Sequence, residues 1–229
     1  NYQYGRATWS WIIRMDASCN YDEQKEYIDF AARLGYEYVL IDALWDTNIG
    51  YEGIERLAQY ARTKNVGLFL WYNSNGYWND APQGPKGKMH RLIDRQKEMA
   101  WLQKTGIKGM KIDFIGSDKQ QTMQMYEDIL YDANQYGLMV IFHGCTLPRG
   151  WERMYPNFVG AEAVRASENF SFGQDENDRE AQSATIHPVL RNAVGNMDFG
   201  GSTLNKHYSK DNQRGRTRRT SDVFALATA

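Results

Sequence analysis

The sequence has few cysteines and no motif in which cysteine usually carries chemistry. Of 229 residues only two are cysteines, Cys19 and Cys145, and neither belongs to a CxxC pair. This excludes a cysteine-based zinc site and a dithiol redox motif. The sequence leaves open whether the two thiols ever pair.

Long apolar runs and an excess of charge are also lacking. No stretch approaches the ~20 apolar residues that cross a bilayer, and no signal peptide opens the chain, which suits either a mature or an excised segment. The net charge of -1 provides no global attraction to nucleic acid or an anionic membrane. The basic residues within 214–219 indicate a solvated loop. Any ligand must therefore be bound at a local site.

What the sequence does contain is a series of short, continuous apolar runs. Continuous apolar character is typical of parallel strands that are buried on both faces. The clearest runs predict strands at residues 38–43, 66–72, 109–115, 138–143 and 158–164. Two weaker runs, at residues 7–13 and 196–199, bring the predicted number to seven.

Helix-periodic segments alternate with these runs. In residues 21–34 one stripe contains Tyr27, Phe30, Ala31 and Leu34, and Gly35 follows where a helix end favours glycine. Further helices are predicted from apolar stripes at residues 54–61 and 93–102, from an Asp118 cap over 118–135, near 181–194, and from residue 220 to the end of the chain.

This alternation predicts an α/β fold, and we favour a (β/α)8 TIM barrel, truncated before the eighth strand. A doubly wound sheet is the competing architecture. It would normally show a glycine-rich fingerprint after the first strand, and residues 18–20 show none. Residues 1–229 are therefore interpreted as one barrel segment of a longer protein.

In a barrel the active site gathers where the strands end, and polar and aromatic side chains occur at those positions. Aromatic rings with a polar edge suit sugar faces, so a ring of tryptophans and carboxylates predicts a sugar pocket. The residues concerned are Trp9, Trp11, Asp42, Trp71, Lys111, Asp113, His143, Glu162 and Glu168.

Lys111 and Asp113 lie two residues apart on a strand, so their side chains share one face. They could form a buried salt bridge that caps the core. Alternatively, the lysine keeps the Asp113 carboxylate ionised beside the substrate, which suits a nucleophile at an anomeric carbon.

A glycosidase also needs a second carboxyl group to protonate the leaving oxygen. Glu162, on a strand, and Glu168, in the loop beyond it, are the candidates. A loop glutamate can equally be a solvated surface residue, and two neighbouring glutamates can share a hard cation such as Ca²⁺ through their oxygens.

Along essentially its whole length the chain resembles glycoside hydrolase family 97. The motifs that carry the resemblance are WSW at 9–11, GMKIDF at 109–114, the His143-Gly144 pair and the long block YPNFVGAEAVRASENFSFG at 155–173. The resemblance implies a (β/α)8 catalytic barrel whose flanking N-terminal β-sandwich and C-terminal β-domain are absent from this chain.

The family contains inverting and retaining branches. Inverting members place a glutamate directly after the fifth-strand histidine and lack the fourth-strand aspartate, whereas Gly144 follows His143 here and Asp113 is present. The resemblance therefore implies a retaining α-galactosidase, with Asp113 as nucleophile and Glu168 as acid/base.

The resemblance also implies the supporting groups. Lys111, Asp42, Trp71 and His143 would bind substrate, and the metal ligands Glu162 and Glu168 would hold Ca²⁺. A further ligand comes from the absent N-terminal domain, so calcium is expected in the full-length protein rather than in this segment. The expected substrate is an α-galactoside or oligosaccharide, and the expected location is periplasmic or secreted.

Two other functions remain open at this point. The nearest is a different sugar specificity, such as α-glucosidase, on the same machinery. The other is a non-catalytic carbohydrate-binding barrel, which predicts sugar binding without turnover.

Overall fold

The computed structural model describes residues 2–76 and 78–227 and centres on one parallel sheet. Its strands follow the chain order from β1 to β6, and every neighbouring pair is parallel. Such pairing requires a crossover after each strand, and helices supply most of these crossovers. The strands are β1 Ala7–Trp9, β2 Tyr38–Ile41, β3 Gly67–Asn73, β4 Gly109–Asp113, β5 Met139–Phe142 and β6 Phe158–Ala161.

The sheet curls around an interior cavity of about 250 Å³. Side chains from all six strands line this one space, which requires a curved sheet rather than a flat one. The lining includes Trp9, Leu40, Phe69, Lys111, Ile141 and Val159. The α/β class and the parallel arrangement predicted from the apolar runs are confirmed, and the described residues form six of the seven predicted strands.

Helices pack against the outer face and bury the main apolar core. The longest helices are α2 Tyr21–Leu34, α4 Gly50–Thr63, α5 Leu92–Thr105, α6 Gln120–Gln135 and α9 Gln174–Leu190. Shorter helices are α1 Trp11–Arg14, α3 Trp45–Asn48, α7 Trp151–Met154, α8 Asn169–Phe172 and α10 Asp222–Ala227, with 3-10 turns at Met15–Ser18 and Asn192–Val194.

The predicted first strand was too long. Only Ala7–Trp9 is extended, and α1 follows almost at once. An apolar run alone does not distinguish a strand from a buried helix. Here the strand ends at Ser10, whose hydroxyl is hydrogen-bonded to the side chains of Ser18 and Gln24. These bonds stabilise the turn between β1 and α1.

The predicted seventh strand is reduced to a single bridge between Ala161 and Met197. The buried Arg191 side chain lies beside this bridge, and its guanidinium donates to the oxygens of Ala161 and Asn196, which also accept the backbone N–H groups of Asp198 and Ala161. Gly195 and Gly200, with φ of 148° and 86°, interrupt the extended backbone on either side.

The helix predictions were right in place and partly wrong in detail. In α2 the buried apolar residues include Ile28 and Ala31, whereas Phe30 and Leu34 of the predicted stripe are exposed. Ile93 in α5 is likewise exposed. The Asp118 cap was wrong, since α6 begins at Gln120 after Lys119.

The C-terminal helix is confirmed as α10, and the last two residues of its predicted span, Thr228 and Ala229, lie outside the described residues. Gly35 adopts the predicted left-handed conformation after α2. Cys19 and Cys145 are both free thiols. Within the described ranges, no helix combines the length and apolarity needed to cross a membrane.

Candidate active site

Polar side chains gather where consecutive strands end. Asp42, His143 and Glu162 directly follow β2, β5 and β6, while Asn73 and Asp113 are the last residues of β3 and β4. All five are buried. Because the strands are parallel and adjacent, these residues lie along one edge of the sheet, where ligands bind in α/β proteins.

Lys111 extends into this cluster from β4 and pairs first with Asp42. Its Nζ lies 3.0 Å from Asp42 Oδ2 and 4.7 Å from the centre of the Trp9 ring. The Trp9 indole N–H donates to the same carboxylate oxygen at 2.8 Å. Burial acts to lower the pKa of Lys111, but the charges of Asp42 and Asp113 raise it above its usual value, so the side chain stays an ammonium.

The Asp113 carboxylate is held at both oxygens. Its Oδ2 accepts the Trp71 indole N–H at 3.0 Å, and its Oδ1 accepts the backbone N–H of Phe114 at 2.7 Å. Lys111 Nζ lies 3.9 Å from Oδ2. Two N–H donors, one on each oxygen, fix the orientation of this carboxylate beside a buried cation.

The backbone after β5 passes close to this carboxylate, and only glycine fits there. Gly144 has φ of 48°, and a Cβ at this position would lie 2.9 Å from Asp113 Oδ1 and 3.0 Å from the Phe114 nitrogen. The Gly144 N–H donates to Glu162 Oε2 at 3.0 Å. Gly144 therefore lies between the carboxylates of Asp113 and Glu162 and places no side chain in that space.

Glu168 lies immediately before α8 and brings a carboxyl group of different character. Burial raises its pKa to about 7, and the charges of Glu162 and Asp113 act in the same direction, against Lys111 and His143. A carboxyl that keeps its proton close to neutral pH can act as a general acid. Asp113 and Glu168 thus have the contrasting environments that a nucleophile and an acid need.

His143 is fixed by Asp198, a residue that the sequence analysis did not single out. His143 Nε2 and Asp198 Oδ2 are 2.8 Å apart. Burial and Lys111 act to lower the pKa of His143, but the hydrogen bond and charge of Asp198 prevail and raise it to about 9. Burial acts to raise the pKa of Asp198, and His143 lowers it to about 2. Asp198 lies within the predicted seventh strand, so strand-end reasoning could have identified it.

The other ring nitrogen of His143 points toward the two glutamates. Nδ1 lies 3.7 Å from Glu162 and 3.9 Å from Glu168, and it has no hydrogen-bond partner. Ligand atoms of these three residues lie within 4.8 Å of one another. The two carboxylates fit a calcium ion, which prefers six to eight oxygen ligands. The protonated imidazole does not fit as a ligand, so the remaining oxygens would have to come from other groups.

The predicted site residues come together at one edge, but they differ in accessibility. Trp71 is almost fully buried and contacts Asp113 through its indole N–H, so its ring offers little free face. Both Asp42 oxygens accept bonds from the chain itself, from Trp9, Lys111 and the Ala43 N–H. Direct contacts of these residues with substrate stay predictions.

Comparison with known proteins supports the resemblance seen in the motifs. Residues 2–164 match the family glycoside hydrolase 97. A probable retaining α-galactosidase of Streptomyces bingchenggensis is 32% identical over 214 residues, which cover 85% of this chain and 30% of the relative. A retaining α-galactosidase of Bacteroides thetaiotaomicron is 27% identical over 223 residues, 91% of this chain and 31% of that protein.

Among solved structures, a β-arabinopyranosidase is similar over 100% of this chain and 36% of its own, with 60% identity and a TM-score of 0.98. The chain spans about 30% of the length of the two α-galactosidases. A parallel α/β fold with paired carboxylates at its strand ends is typical of glycoside hydrolases. This chain belongs to glycoside hydrolase family 97.

Proposed function

We propose that this chain carries the catalytic centre of a retaining glycosidase that acts on α-galactosides. The observation that carries the proposal is the contrast between two carboxyl groups. Asp113 is held by two N–H donors beside Lys111, and Glu168 has a pKa raised to about 7. The names of the two α-galactosidase relatives support the sugar.

In the first step an Asp113 oxygen attacks the anomeric carbon, and the bond from that carbon to the leaving oxygen breaks. Glu168 gives its proton to the leaving oxygen. In the second step Glu168 takes a proton from water, the water oxygen bonds to the anomeric carbon, and the ester to Asp113 breaks. Two inversions retain the α configuration.

The supporting residues orient these two groups. Trp71 and the Phe114 N–H hold the Asp113 carboxylate, and the Lys111 ammonium lies 3.9 Å from its Oδ2. His143, held by Asp198, presents a positively charged edge toward Glu162 and Glu168. Lys111, Asp42, Trp71 and His143 form the proposed walls of the sugar site.

Calcium is part of the proposal for the full-length protein. Glu162 and Glu168 would hold it, together with oxygens from outside this cluster. Bound there, the ion supplies positive charge that fixes Glu168 and binds substrate hydroxyls. The same positive charge would lower the pKa of Glu168. Close binding of the ion by this carboxylate would therefore conflict with its role as a general acid near neutral pH.

We also propose that the six-stranded sheet is part of a (β/α)8 barrel completed by further chain, with flanking β-domains and a periplasmic or secreted location. The family resemblance and the length of the relatives support this arrangement. β1 and β6 are the outermost strands of the described sheet, and beyond β6 only the Ala161–Met197 bridge is formed, so additional strands would complete the pairing.

A second specificity is favoured by the 60% identical β-arabinopyranosidase. A β-L-arabinopyranoside has the ring configuration of an α-D-galactoside and lacks only the hydroxymethyl group at C5. One site can therefore accept both sugars if the hydroxymethyl group has room. An α-glucoside has the opposite configuration at C4, so its hydrolysis would require a site that accepts the C4 hydroxyl in that orientation.

The test uses the full-length protein with aryl α-galactoside, α-glucoside and β-L-arabinopyranoside. We expect hydrolysis of the first, the third or both, with proton NMR showing retention in the first product. Asp113→Ala should reduce turnover by at least about 10³-fold. Full activity of Asp113→Ala, or inversion, contradicts the mechanism, and sugar binding without turnover would indicate a binding barrel.

A further inference from the structure

Phe114, the residue after the proposed nucleophile, has an unusual backbone conformation. Its φ is 63°, in the left-handed region that residues with side chains seldom occupy. Such conformations cost free energy and persist only where the surroundings enforce them. In this conformation the Phe114 N–H donates to Asp113 Oδ1 at 2.7 Å.

The Phe114 carbonyl accepts hydrogen bonds from three side chains. Ser74 Oγ, Trp78 Nε1 and Asn79 Nδ2 each lie 3.1 Å from this oxygen, and the two nitrogens also lie 3.2 Å from Ser74 Oγ. We call these three side chains the carbonyl clamp. A carbonyl oxygen has two lone pairs, so three donors on one oxygen are more than ordinary satisfaction of a buried group requires.

The clamp comes from the segment that follows β3 and is itself tied to β4. The Ser74 N–H donates to the Asp113 carbonyl at 2.9 Å, and Ser74 is fully buried. Asn79 also stabilises its own turn, because its Oδ1 accepts the Ala81 N–H at 3.2 Å. The segment therefore contacts the backbone of the proposed nucleophile, Asp113, and of the residue after it, Phe114.

Phe114 also contacts Trp71, the residue that donates to the other oxygen of the Asp113 carboxylate. Its ring packs edge-on against Trp71, with ring centres 5.5 Å apart, and Trp71 Nε1 donates to Asp113 Oδ2. A change of φ at Phe114 would alter the direction of its N–H relative to its carbonyl and ring. The Phe114 conformation held by the carbonyl clamp therefore positions the N–H donors of both Asp113 carboxylate oxygens.

We propose that Ser74, Trp78 and Asn79 are positioning residues. They hold Phe114 in its left-handed conformation and so keep the Asp113 carboxylate in the orientation for attack. This inference rests on the proposed role of Asp113 as nucleophile. The competing explanation is that the three side chains only anchor the segment after β3.

The central variant is Asn79→Asp in the full-length protein. It keeps the Oδ1 acceptor for Ala81 but replaces the amide donor that reaches Phe114. Asn75→Gly is the matched control, because Asn75 anchors the same segment through Gly87 N at 2.7 Å and does not contact Phe114. Glycine also tolerates the φ of 48° found at residue 75.

The measurement is covalent labelling of Asp113 by 5-fluoro-α-D-galactopyranosyl fluoride, followed by mass spectrometry. An Asp113 oxygen bonds to the anomeric carbon as the carbon–fluorine bond there breaks and fluoride leaves. We expect Asn79→Asp to lower the maximal labelling rate about 10- to 100-fold with little change in half-saturating concentration. Asn75→Gly should leave the maximal rate within about twofold.

A double-mutant cycle with Phe114→Gly separates the two explanations. Glycine adopts a positive φ without the clamp, so Asn79→Asp should cost less than about twofold in that background. Phe114→Asn, which also tolerates this region, replaces it if the glycine variant does not fold. The same loss from Asn79→Asp in both backgrounds, or unchanged labelling in Asn79→Asp, overturns the positioning role. Absence of Asp113 labelling in the unchanged protein instead contradicts the proposed function.

Discussion

Lys111 pairs with Asp42 more closely than with Asp113: its Nζ is 3.0 Å from an Asp42 oxygen and 3.9 Å from an Asp113 oxygen. The same-strand spacing suggested a Lys111–Asp113 pair. The structure contains both contacts, and the closer one is a buried ion pair between Lys111 on β4 and Asp42, the residue after β2. Asp113 thus has a positive charge nearby, although the ammonium lies closer to Asp42.

Removing one partner of this buried pair should be costly. We expect Lys111→Met to lower the free energy of unfolding by about 3–5 kcal/mol, because it leaves the Asp42 charge buried with the Trp9 N–H as its main side-chain donor. The double variant Lys111→Met/Asp42→Asn should recover much of that loss. Urea unfolding measures both. Equal losses in the single and double variants would show that the pair is not the cause.

The pH dependence of activity should report Glu168. The proposed mechanism needs Glu168 protonated for glycoside cleavage, so kcat/KM should fall as pH rises through about 7. Glu168→Gln should lack this alkaline limb and lose most activity on substrates with poor leaving groups. Rates on two aryl glycosides of different leaving-group acidity, across the pH range, measure this. An unchanged limb in Glu168→Gln would assign the acid elsewhere.

Gly144 should not tolerate even alanine. Its φ of 48° and the 2.9 Å approach of a Cβ to Asp113 Oδ1 predict strain together with a displaced carboxylate. We expect Gly144→Ala to reduce kcat about 100-fold. Gly150→Ala is the control, because Gly150 also has a positive φ, of 82°, with open space around it. It should lose about 1 kcal/mol of stability and keep its kcat. Similar kcat values for both variants would argue against the contact.

The His143–Asp198 pair should stabilise the fold in a defined pH window. The pKa of His143 is raised from 6.5 to about 9, so its contribution is complete below about 6.5 and is lost as pH rises through about 9. The pKa of Asp198 is lowered from 3.8 to about 2, so its contribution is present above about 3.8. Asp198→Asn should therefore destabilise most between these limits, by on the order of 1–3 kcal/mol.

Thermal melts of the unchanged protein and Asp198→Asn at pH 5, 7 and 10 check this window. The difference in melting temperature should shrink at pH 10. A difference that stays constant over this range would mean that Asp198 acts through packing or through its neutral hydrogen bonds rather than through the charge of His143.

Calcium removal should affect both stability and activity of the full-length protein. If Glu162 and Glu168 hold the ion, a chelator should lower the melting temperature by a few degrees and reduce activity. Ca²⁺ should restore both, whereas Mg²⁺, which demands a tighter octahedral site, should not. Glu162→Gln should resemble the chelated protein. Insensitivity to the chelator would contradict a calcium role.

The sequence alone predicted the architecture where its signals were local. Continuous apolar runs located β2 to β6 within a few residues, and the glycine after α2 predicted a helix end. The errors occurred where long-range contacts overruled a pattern. Ser10, bonded to Ser18 and Gln24, ends the first apolar run as a strand, and the predicted seventh strand forms only a single bridge to Ala161.

For the site, the sequence by itself determined which side chains stand at the strand ends, because a parallel sheet brings those ends to one edge. It could not determine which of them pair. The Lys111–Asp42 contact, the Asp198 partner of His143 and the clamp on Phe114 join residues that are distant in the chain. Only the tertiary structure decides these contacts, because burial and distance set their energies and neither can be read from residue type or spacing.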